Sequence, residues 1–143
     1  MFTPVLTLEH SDSRGEIYSI ELPGNREIML LHSVGGVFRG GHSHTVDEIV
    51  VLLSGKMRYH KRYLGAETDR ILEAGGFSYN QAGEIHMGEF LEDSWVVEAK
   101  FGEKGSWQQS DYEPMRERVR KNLQQGPSAS GYGIGDKPAR HLA

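Results

Sequence analysis

Glycine is the residue that most constrains how this chain can fold, because it divides the sequence into short segments. The chain has 143 residues, of which 18 are glycines. Between residues 35 and 88, glycines stand at positions 35, 36, 40, 41, 55, 65, 75, 76, 83 and 88. Short strands joined by glycine turns are typical of a β-barrel or a two-sheet sandwich. The glycine pattern therefore predicts an all-β fold.

Alternation and apolar runs predict the individual strands. Glu16–Ile20 alternates between polar and apolar residues, and Glu27–Val34 does so roughly. Ile49–Leu53 is a continuous apolar run before Ser54-Gly55, which predicts a strand buried on both faces and followed by a turn. Further strands are predicted at 56–60, 70–72, 77–79, 85–90 and 95–101.

Three histidines and a glutamate are the main candidates for chemistry. His42, His44 and Glu48 lie within seven residues, and His86 follows later in the chain. Because side chains alternate along a strand, His42, His44 and Glu48 share parity and are expected to point the same way. Three imidazoles and one carboxylate suit Fe, Mn, Co, Ni or Zn. The sequence therefore predicts one divalent transition metal.

The spacing of these residues resembles the first motif of the cupin superfamily, G-x5-H-x-H-x3-E-x6-G. Gly36, His42, His44, Glu48 and Gly55 fill every fixed position of that motif.

The second cupin motif, G-x5-P-x-G-x2-H-x3-N, is matched in part. Gly75, Gly83 and His86 fill their positions, whereas Gln81 replaces the proline and Phe90 the asparagine. Replacement of the proline affects the geometry of the turn more than metal binding, since the ligand histidine is kept.

The resemblance covers about residues 14–101 and has consequences for fold and assembly. It implies a double-stranded β-helix, the jelly-roll barrel of the cupins, which we assign to residues 1–110. It also implies pairing of two chains into a homodimer through exchange of β-strands.

The sequence after the barrel is typical of a short helix. Proline preceded by acidic residues marks a helix start, and Met115, Val119 and Leu123 recur on one face. We predict a helix over 111–125 that packs on the barrel; docking of this stripe on a second subunit is the alternative. Residues 126–143 are rich in Gly, Ser and Pro, which predicts a flexible tail.

Composition excludes several classes of protein. The net charge is −4, so binding of duplex nucleic acid is not expected. The basic cluster Arg58–Tyr63 is typical of exposed charges beside half-buried rings on a strand. Cysteine is absent, which excludes disulfides and thiolate ligands. No apolar run approaches membrane-spanning length and the N-terminus does not resemble a signal peptide, so we expect a cytoplasmic protein without a membrane partner.

A narrower resemblance is to the cupins that modify sugar nucleotides. Asp12-Ser13-Arg14-Gly15 is similar to their D-x-R-G, and Arg39-Gly40-Gly41-His42-Ser43-His44 to their R-G-x-H-x-H. In the metal-free dTDP-keto-sugar isomerases of this branch, His42 and His44 would be acid/base residues and Arg39 would contact phosphate. Glu48 departs from that branch and favours a metal. Ordinary turns explain the two Arg-Gly pairs equally well.

Two classes of function remain open. The first is a metal-dependent enzyme for a small, polar, oxygen-rich substrate: an isomerase or epimerase of a sugar or of a hydroxy or keto acid, or an iron dioxygenase. The second is a non-catalytic barrel that binds a small molecule. An enzyme needs titratable groups near the metal, and the candidate catalytic residues are Arg39, Tyr59, His60, Glu98 and Lys100. Glu98 and Lys100 share parity, so an outward orientation would favour the binding barrel.

Overall fold

The computed structural model describes residues 2–126, which form two antiparallel β-sheets followed by one helix. The elements are β1 (Leu6–Asp12), β2 (Gly15–Leu22), β3 (Arg26–Ser33), β4 (Phe38–His44), β5 (Glu48–Ser54), β6 (Lys56–Tyr63), β7 (Ala66–Glu73), β8 (Phe77–Asn80), β9 (Ile85–Phe90), β10 (Ser94–Lys100), β11 (Gln109–Asp111) and α1 (Glu113–Gln125). The predicted all-β fold with a C-terminal helix is confirmed. Within residues 2–126, no helix is both long enough and apolar enough to cross a membrane.

The two sheets differ in size and lie face to face. The large sheet has six strands in the order β1-β2-β3-β10-β5-β8, and the small sheet has five in the order β11-β4-β9-β6-β7. Each strand turns alternate side chains inward, where apolar residues of both sheets interlock. The core between the sheets comprises Leu31, Val34, Val37, Val50, Leu52, Met57, Tyr59, Leu72, Phe90 and Val96.

One strand is less buried than its sequence predicts. In β5, Val50 and Leu52 are 1% and 0% exposed and face the core. Leu53, on the opposite face, is 51% exposed. The inward face of the apolar run is therefore fully buried, whereas its outward face is half-buried at Ile49 and Val51 and exposed at Leu53.

Shared parity on one strand does not explain why Glu48 lies close to His42 and His44. His42 and His44 end β4 in the small sheet, whereas Glu48 begins β5 in the large sheet. The chain crosses from one sheet to the other at residues 45–47, between these two strands. Their proximity comes from this crossing, because alternation relates side chains only along one continuous strand.

The helix α1 packs on the outer face of the small sheet of its own chain, as predicted. It begins at Glu113 rather than at residue 111, because Asp111 pairs with His42 at the end of β11. Met115 and Val119 are buried against Met87 of β9. The prediction of a flexible tail at 126–143 lies outside the described residues except for Gly126.

The apolar stripe of α1 has a polar third member. Leu123 is 37% exposed, whereas Asn122 is 7% exposed and faces the sheet. The Asn122 side chain accepts from the Phe38 amide at 3.0 Å and donates to the Gly36 carbonyl at 2.9 Å. These bonds join α1 to the segment that leads into β4, and thus to the strand that carries His42.

Candidate metal site and cavity

Three histidines meet on the inner face of the small sheet. The potential ligand atoms of His42, His44 and His86 all lie within 4.8 Å of one another. His42 and His44 come from β4, and His86 comes from the neighbouring strand β9, where it pairs with His42. His44 and His86 are 4% and 5% exposed. The predicted histidine ligands are thus brought together in a buried cluster, which we call the histidine triad.

A β-bulge at Gly41 allows two functional side chains of β4 to face inward. The strand register shifts between Gly40 and His42. Gly41 has φ +89°, a conformation that favours glycine and is typical of such bulges. Arg39 and His42 are three residues apart and would face opposite ways on a regular strand. The extra residue restores their common direction.

Hydrogen bonds orient two of the imidazole rings. His86 Nδ1 lies 3.1 Å from the Glu84 carbonyl oxygen, which can only accept, so Nδ1 carries the proton and Nε2 keeps its lone pair. His44 Nε2 lies 3.3 Å from Gln109 Oε1, on β11. A partner on the second ring nitrogen is the usual arrangement for a histidine that binds a metal.

The surroundings keep all three imidazoles neutral. Burial lowers the pKa of His44 to about 4. Burial, followed by repulsion from His86, moves the pKa of His42 far below its usual value, and burial also lowers the pKa of His86. Metals bind neutral imidazole, so protons do not compete for these nitrogens near neutral pH. Three convergent neutral donors suit a divalent transition metal.

Glu48 lies beside the triad, next to His86. Its Oε1 is 3.2 Å from His86 Nε2 and accepts from Asn80 Nδ2 at 3.1 Å. Its Oε2 is 3.3 Å from the Lys100 ammonium. At 1% exposure, this carboxylate is held by the Asn80 amide and the Lys100 ammonium at one edge of the triad. A fourth-ligand role for Glu48 stays a prediction.

A cavity of about 310 Å³ opens onto His42 and His86 between the two sheets. Its lining is partly apolar, from the core, and partly charged. The charged groups are Arg14, Arg39, Arg116, Glu98 and Asp111. A small molecule in this cavity would meet both His42 and His86 of the triad and guanidinium groups.

Three of the predicted catalytic residues, Arg39, Tyr59 and Glu98, line this cavity. Arg39 is 8% exposed, and its Nε donates to Ser33 Oγ at 2.8 Å. Burial, followed by repulsion from Arg14, lowers the pKa of Arg39 to about 10. Tyr59 Oη accepts from Asn80 Nδ2 at 2.8 Å, and burial raises the pKa of Tyr59 well above its usual value. Arg39 and Tyr59 are therefore in their protonated forms at neutral pH.

Glu98 and Lys100 both point inward from β10, the orientation that favours an enzyme. Glu98 lines the main cavity and also a smaller one of about 100 Å³, which Lys100 and Trp107 line as well. Burial, followed by repulsion from Glu48, raises the pKa of Glu98 to about 7. The Lys100 ammonium lies 4.5 Å from the centre of the Trp107 ring, within cation–π range.

His60 is on the wrong face to join this site. It follows Tyr59 on β6, and neighbouring residues of a strand face opposite sides. Its Nε2 lies 3.4 Å from Glu89 Oε1 on the outer face of the small sheet, where Arg58 contacts the same carboxylate at 3.1 Å. The prediction of a catalytic His60 is therefore wrong for this cavity, because Tyr59 occupies the inward position.

Several residues of the site were not predicted from the sequence. Asn80 connects Glu48 to Tyr59, Gln109 contacts His44, and Trp107 covers Lys100. Arg116 lines the cavity from α1, and its guanidinium donates to the Gly40 carbonyl at 2.7 Å. A local signal existed only for Asn80, a polar residue whose parity in β8 matches that of the buried Ser78.

The fold is similar to that of several solved proteins. CapF, a capsular polysaccharide assembling protein from Staphylococcus aureus, is 18% identical over 74% of this chain and 31% of its own, with a TM-score of 0.59. Oxalate decarboxylase from Bacillus subtilis is 18% identical over 68% of this chain and 27% of its own, at 0.55. The 7S globulin of Momordica charantia is 14% identical over 85% of this chain and 46% of its own, at 0.62.

This chain spans less than half of each of these neighbours. No protein-family model matches the sequence, and no curated protein matches it at a significant level. One neighbour is named for a reaction and another is named as a globulin, so likeness of fold does not decide between catalysis and binding. That decision depends on the site.

Proposed function

We propose that this chain, whose cupin fold the structural matches confirm, is a metal-dependent enzyme that acts on a small, anionic, oxygen-rich molecule. The observation that carries the proposal is the meeting of three kinds of group in one cavity. His42 and His86 of the neutral triad, the guanidinium groups of Arg14, Arg39 and Arg116, and the Glu98 carboxyl group all border the same space.

The triad and its neighbour Glu48 would hold the metal. The donor set suits Fe, Mn, Co, Ni or Zn. When bound, such a metal would polarise a carbonyl or hydroxyl oxygen of the substrate. His86 and His44 would keep their ring orientation through Glu84 and Gln109. Lys100 and Asn80 would set the position of the Glu48 carboxylate.

The arginines favour an anionic substrate. Among the described residues, Arg39 bonds to the Ser33 hydroxyl and weakly to the His32 carbonyl at 3.4 Å rather than to a carboxylate. A buried charge without an ion-pair partner is costly, and a carboxylate or phosphate of the substrate would lower that cost. Arg14 is already paired with Asp12 at 2.7 Å, so Arg39 is the better anchor.

Glu98 is suited to proton transfer. A carboxyl group with a pKa near the working pH can both take and return a proton during turnover. The hydroxyl of Tyr59 accepts from Asn80, which leaves its own hydrogen free to donate to a substrate oxygen. Removal of a proton next to a polarised carbonyl is the step that these groups support. An isomerase or epimerase of a sugar derivative or of a hydroxy or keto acid is therefore favoured.

One observation favours a second candidate, a metal-free isomerase of keto sugars. The ion pair with Lys100 already compensates the charge of Glu48, as it would if Glu48 were not a ligand. In that enzyme His42 and His44 would accept the proton. The lowered pKa of both histidines makes them weak bases, which is why the metal-dependent reaction is preferred.

Elemental analysis tests the metal first. The full chain is purified without chelator and without nickel affinity, beside His86→Ala and the matched control His60→Ala. We expect near-stoichiometric metal in the wild type and in His60→Ala, and its loss from His86→Ala. Absence of metal after reconstitution with each of the five ions would favour the metal-free isomerase.

Proton exchange tests the reaction. Metal-loaded protein is incubated in D₂O with a panel of keto acids, hydroxy acids and keto-sugar phosphates, and loss of the C–H signal next to the carbonyl is followed by NMR. We expect exchange with at least one anionic compound, and its loss in Glu98→Gln with metal content unchanged. A chain that binds these compounds but exchanges none of them is the non-catalytic barrel.

A further inference from the structure

The inward side chains of β10 divide the space between the sheets into successive levels. Side chains on one face of a strand are two residues apart, or about 6.6 Å. From the metal end of β10 they are Lys100, Glu98, Val96 and Ser94, and each pairs in register with residues of β3 or β5. Position along β10 therefore gives the order in which the groups of the cavity follow one another.

The metal end of the cavity is polar and open. Gln109 and Asp111 line it from β11, the strand that pairs with the two triad histidines of β4. Both are exposed, so this end is the mouth of the cavity. Arg116 of α1 lines the same end and has the opposite charge to Asp111. An oxygen-rich group of a substrate would therefore meet the metal and several polar side chains here.

Behind the groups for proton transfer, the walls of the cavity become apolar. Tyr59 belongs to the level of Glu98, because it pairs with Gly88, one inward position beyond His86. The next level consists of four side chains that line the cavity and are at most 6% exposed, Val96, Leu31, Met57 and Phe90. They offer a hydroxyl group no donor, and the only acceptor among them is the weak thioether of Met57.

A guanidinium group stands at the end of the cavity that is remote from the triad. Arg39 donates to Ser33, which pairs in register with Ser94, six residues along β10 from Lys100. The Arg39 head group therefore lies past the apolar level. Its Nε is used by Ser33, whereas its two Nη atoms keep hydrogens that a carboxylate can accept.

The charged neighbours of Glu98 agree with this order. Glu48 and Lys100 act on its carboxyl group from the metal end, and Arg39 acts on it from the other end. Glu98 is thus between the two ends of the cavity. A carbon next to a metal-bound carbonyl would come level with Glu98, and the rest of the substrate would pass along the apolar level.

We propose that the substrate is an aliphatic 2-hydroxy or 2-oxo dicarboxylic acid with a chain of about six carbons. This inference rests on the proposed function and narrows its substrate class. The first carboxylate and its neighbouring oxygen face the metal end, methylene groups cross the apolar level, and the second carboxylate pairs with Arg39. One anionic group is enough at the far end, because Arg14 is already paired with Asp12.

The register of the strands sets the length of the chain. His42 pairs with His86 and Arg39 with Gly88, so Arg39 begins one step of about 6.6 Å from the triad, and its head group reaches further. An extended chain of six carbons measures ~6 Å between its terminal carbons, and the carboxylate oxygens add to this. A chain of four carbons measures only ~4 Å and is too short to contact both ends.

A polyhydroxylated chain suits this cavity poorly. Its middle hydroxyl groups would lie against Val96 and Leu31, where they lose their hydrogen bonds to water without gaining others. Each buried hydroxyl group without a partner weakens binding by ~10-fold. The cavity should therefore distinguish aliphatic diacids from sugar acids of the same length.

Three compounds with the same six-carbon chain test the proposal. 2-Hydroxyadipate has both carboxylates and a methylene middle, 2-hydroxyhexanoate lacks the far carboxylate, and glucarate carries hydroxyl groups along its middle. Calorimetric titration of the full chain, as purified and after loading with Zn²⁺, gives the dissociation constants. We expect 2-hydroxyadipate to bind at least ~10-fold more tightly than the other two and than the four-carbon malate.

Arg39→Gln locates the far carboxylate. The variant should bind 2-hydroxyadipate at least ~10-fold more weakly, at the affinity of 2-hydroxyhexanoate, whose own binding should change less than ~2-fold. Arg58→Gln is the matched control, because Arg58 pairs with Glu89 on the outer face of the small sheet. It should keep the affinities of the wild type for both compounds.

The wild-type series needs no variant to fold, and it measures binding rather than turnover. Equal affinities for the three six-carbon compounds, tightest binding of glucarate, or no binding of any of them would overturn the proposal. The expected order of affinities without proton exchange in D₂O would support the ligand class and remove the catalytic function. Failure of the proposed function is thus distinguished from failure of the substrate class.

Discussion

Glu98 shows how position in the fold changes the chemistry of a common side chain. It lies between Glu48, which repels its negative charge, and Lys100, which stabilises it. Burial is the largest effect and favours the neutral acid, so the pKa rises to about 7. The same carboxyl group on the protein surface would be fully ionised at neutral pH and of little use for returning a proton.

The raised pKa makes Glu98 a source of pH-dependent instability. The folded chain holds this proton more tightly than the unfolded chain, so its stabilising effect is complete below pH ~4.5 and is lost as pH rises through about 7. We expect Glu98→Gln to gain up to ~3 kcal/mol in free energy of unfolding relative to wild type between pH 5 and pH 8. Urea unfolding of both proteins at the two pH values measures this. If the difference in free energy of unfolding between the two proteins is the same at both pH values, the Glu98 carboxyl group is in contact with water.

The role of Glu48 can be separated from that of its neighbours by metal affinity. Glu48→Gln should weaken binding more than ~100-fold if the carboxylate is a ligand, since loss of a supporting partner costs about 10–100-fold. Glu89→Gln, a buried glutamate on the outer face of the small sheet, is the control and should leave affinity unchanged. Competition with a chelating indicator gives the constants. A smaller effect would limit Glu48 to positioning His86.

At the scale of one element, β4 marks where sequence reasoning succeeds and where it fails. The motif spacing identified His42 and His44, because both lie on one strand at the separation that puts them on one face. It did not explain how Arg39 joins them, since the bulge at Gly41 is a break in alternation. The same rule of alternation, applied to β6, would have excluded His60 once Tyr59 was placed inward.

Residues that reach the site from other elements had little signal in the sequence. Gln109 and Arg116 approach because β11 and α1 cross the end of β4, a long-range arrangement that local patterns do not carry. On the helix, Arg116 looked like one more exposed cation. The fold class was easier to predict, since turns, alternation and apolar runs repeat along the whole chain.

Gly41 should be sensitive to the smallest substitution. A Cβ there would lie 3.0 Å from the Arg116 amide nitrogen, and φ is +89°. We expect Gly41→Ala to lose ~2–3 kcal/mol of stability, from backbone strain together with displacement of α1. Gly65→Ala is the control, because its φ is +80° but nothing lies within 4 Å of the added atom. It should lose only ~1 kcal/mol, and equal losses in denaturant unfolding would contradict the role of the helix contact.

For the whole molecule, the histidine triad makes the free energy of unfolding depend on pH. The triad nitrogens have lowered pKa values in the fold, so the unfolded chain binds more protons as pH falls. The metal-free protein should therefore lose stability from pH ~6.5 down through about 4. Thermal unfolding at pH 7 and pH 5 measures this loss, which should be smaller in His44→Asn. An equal loss in both would show that other groups carry the acid sensitivity.

The two walls of the cavity belong to different sheets. The small sheet supplies the histidine triad from β4 and β9, and the large sheet supplies Glu98 and Lys100 from β10. Each wall is a separate sheet of the same chain, and the apolar core packs between the two sheets. Redesign could therefore treat the two walls separately: substitutions at Glu98 of β10 would alter the acid/base group, and substitutions in β4 and β9 would alter the histidine donors, whereas Lys100 belongs to both because it pairs with Glu48.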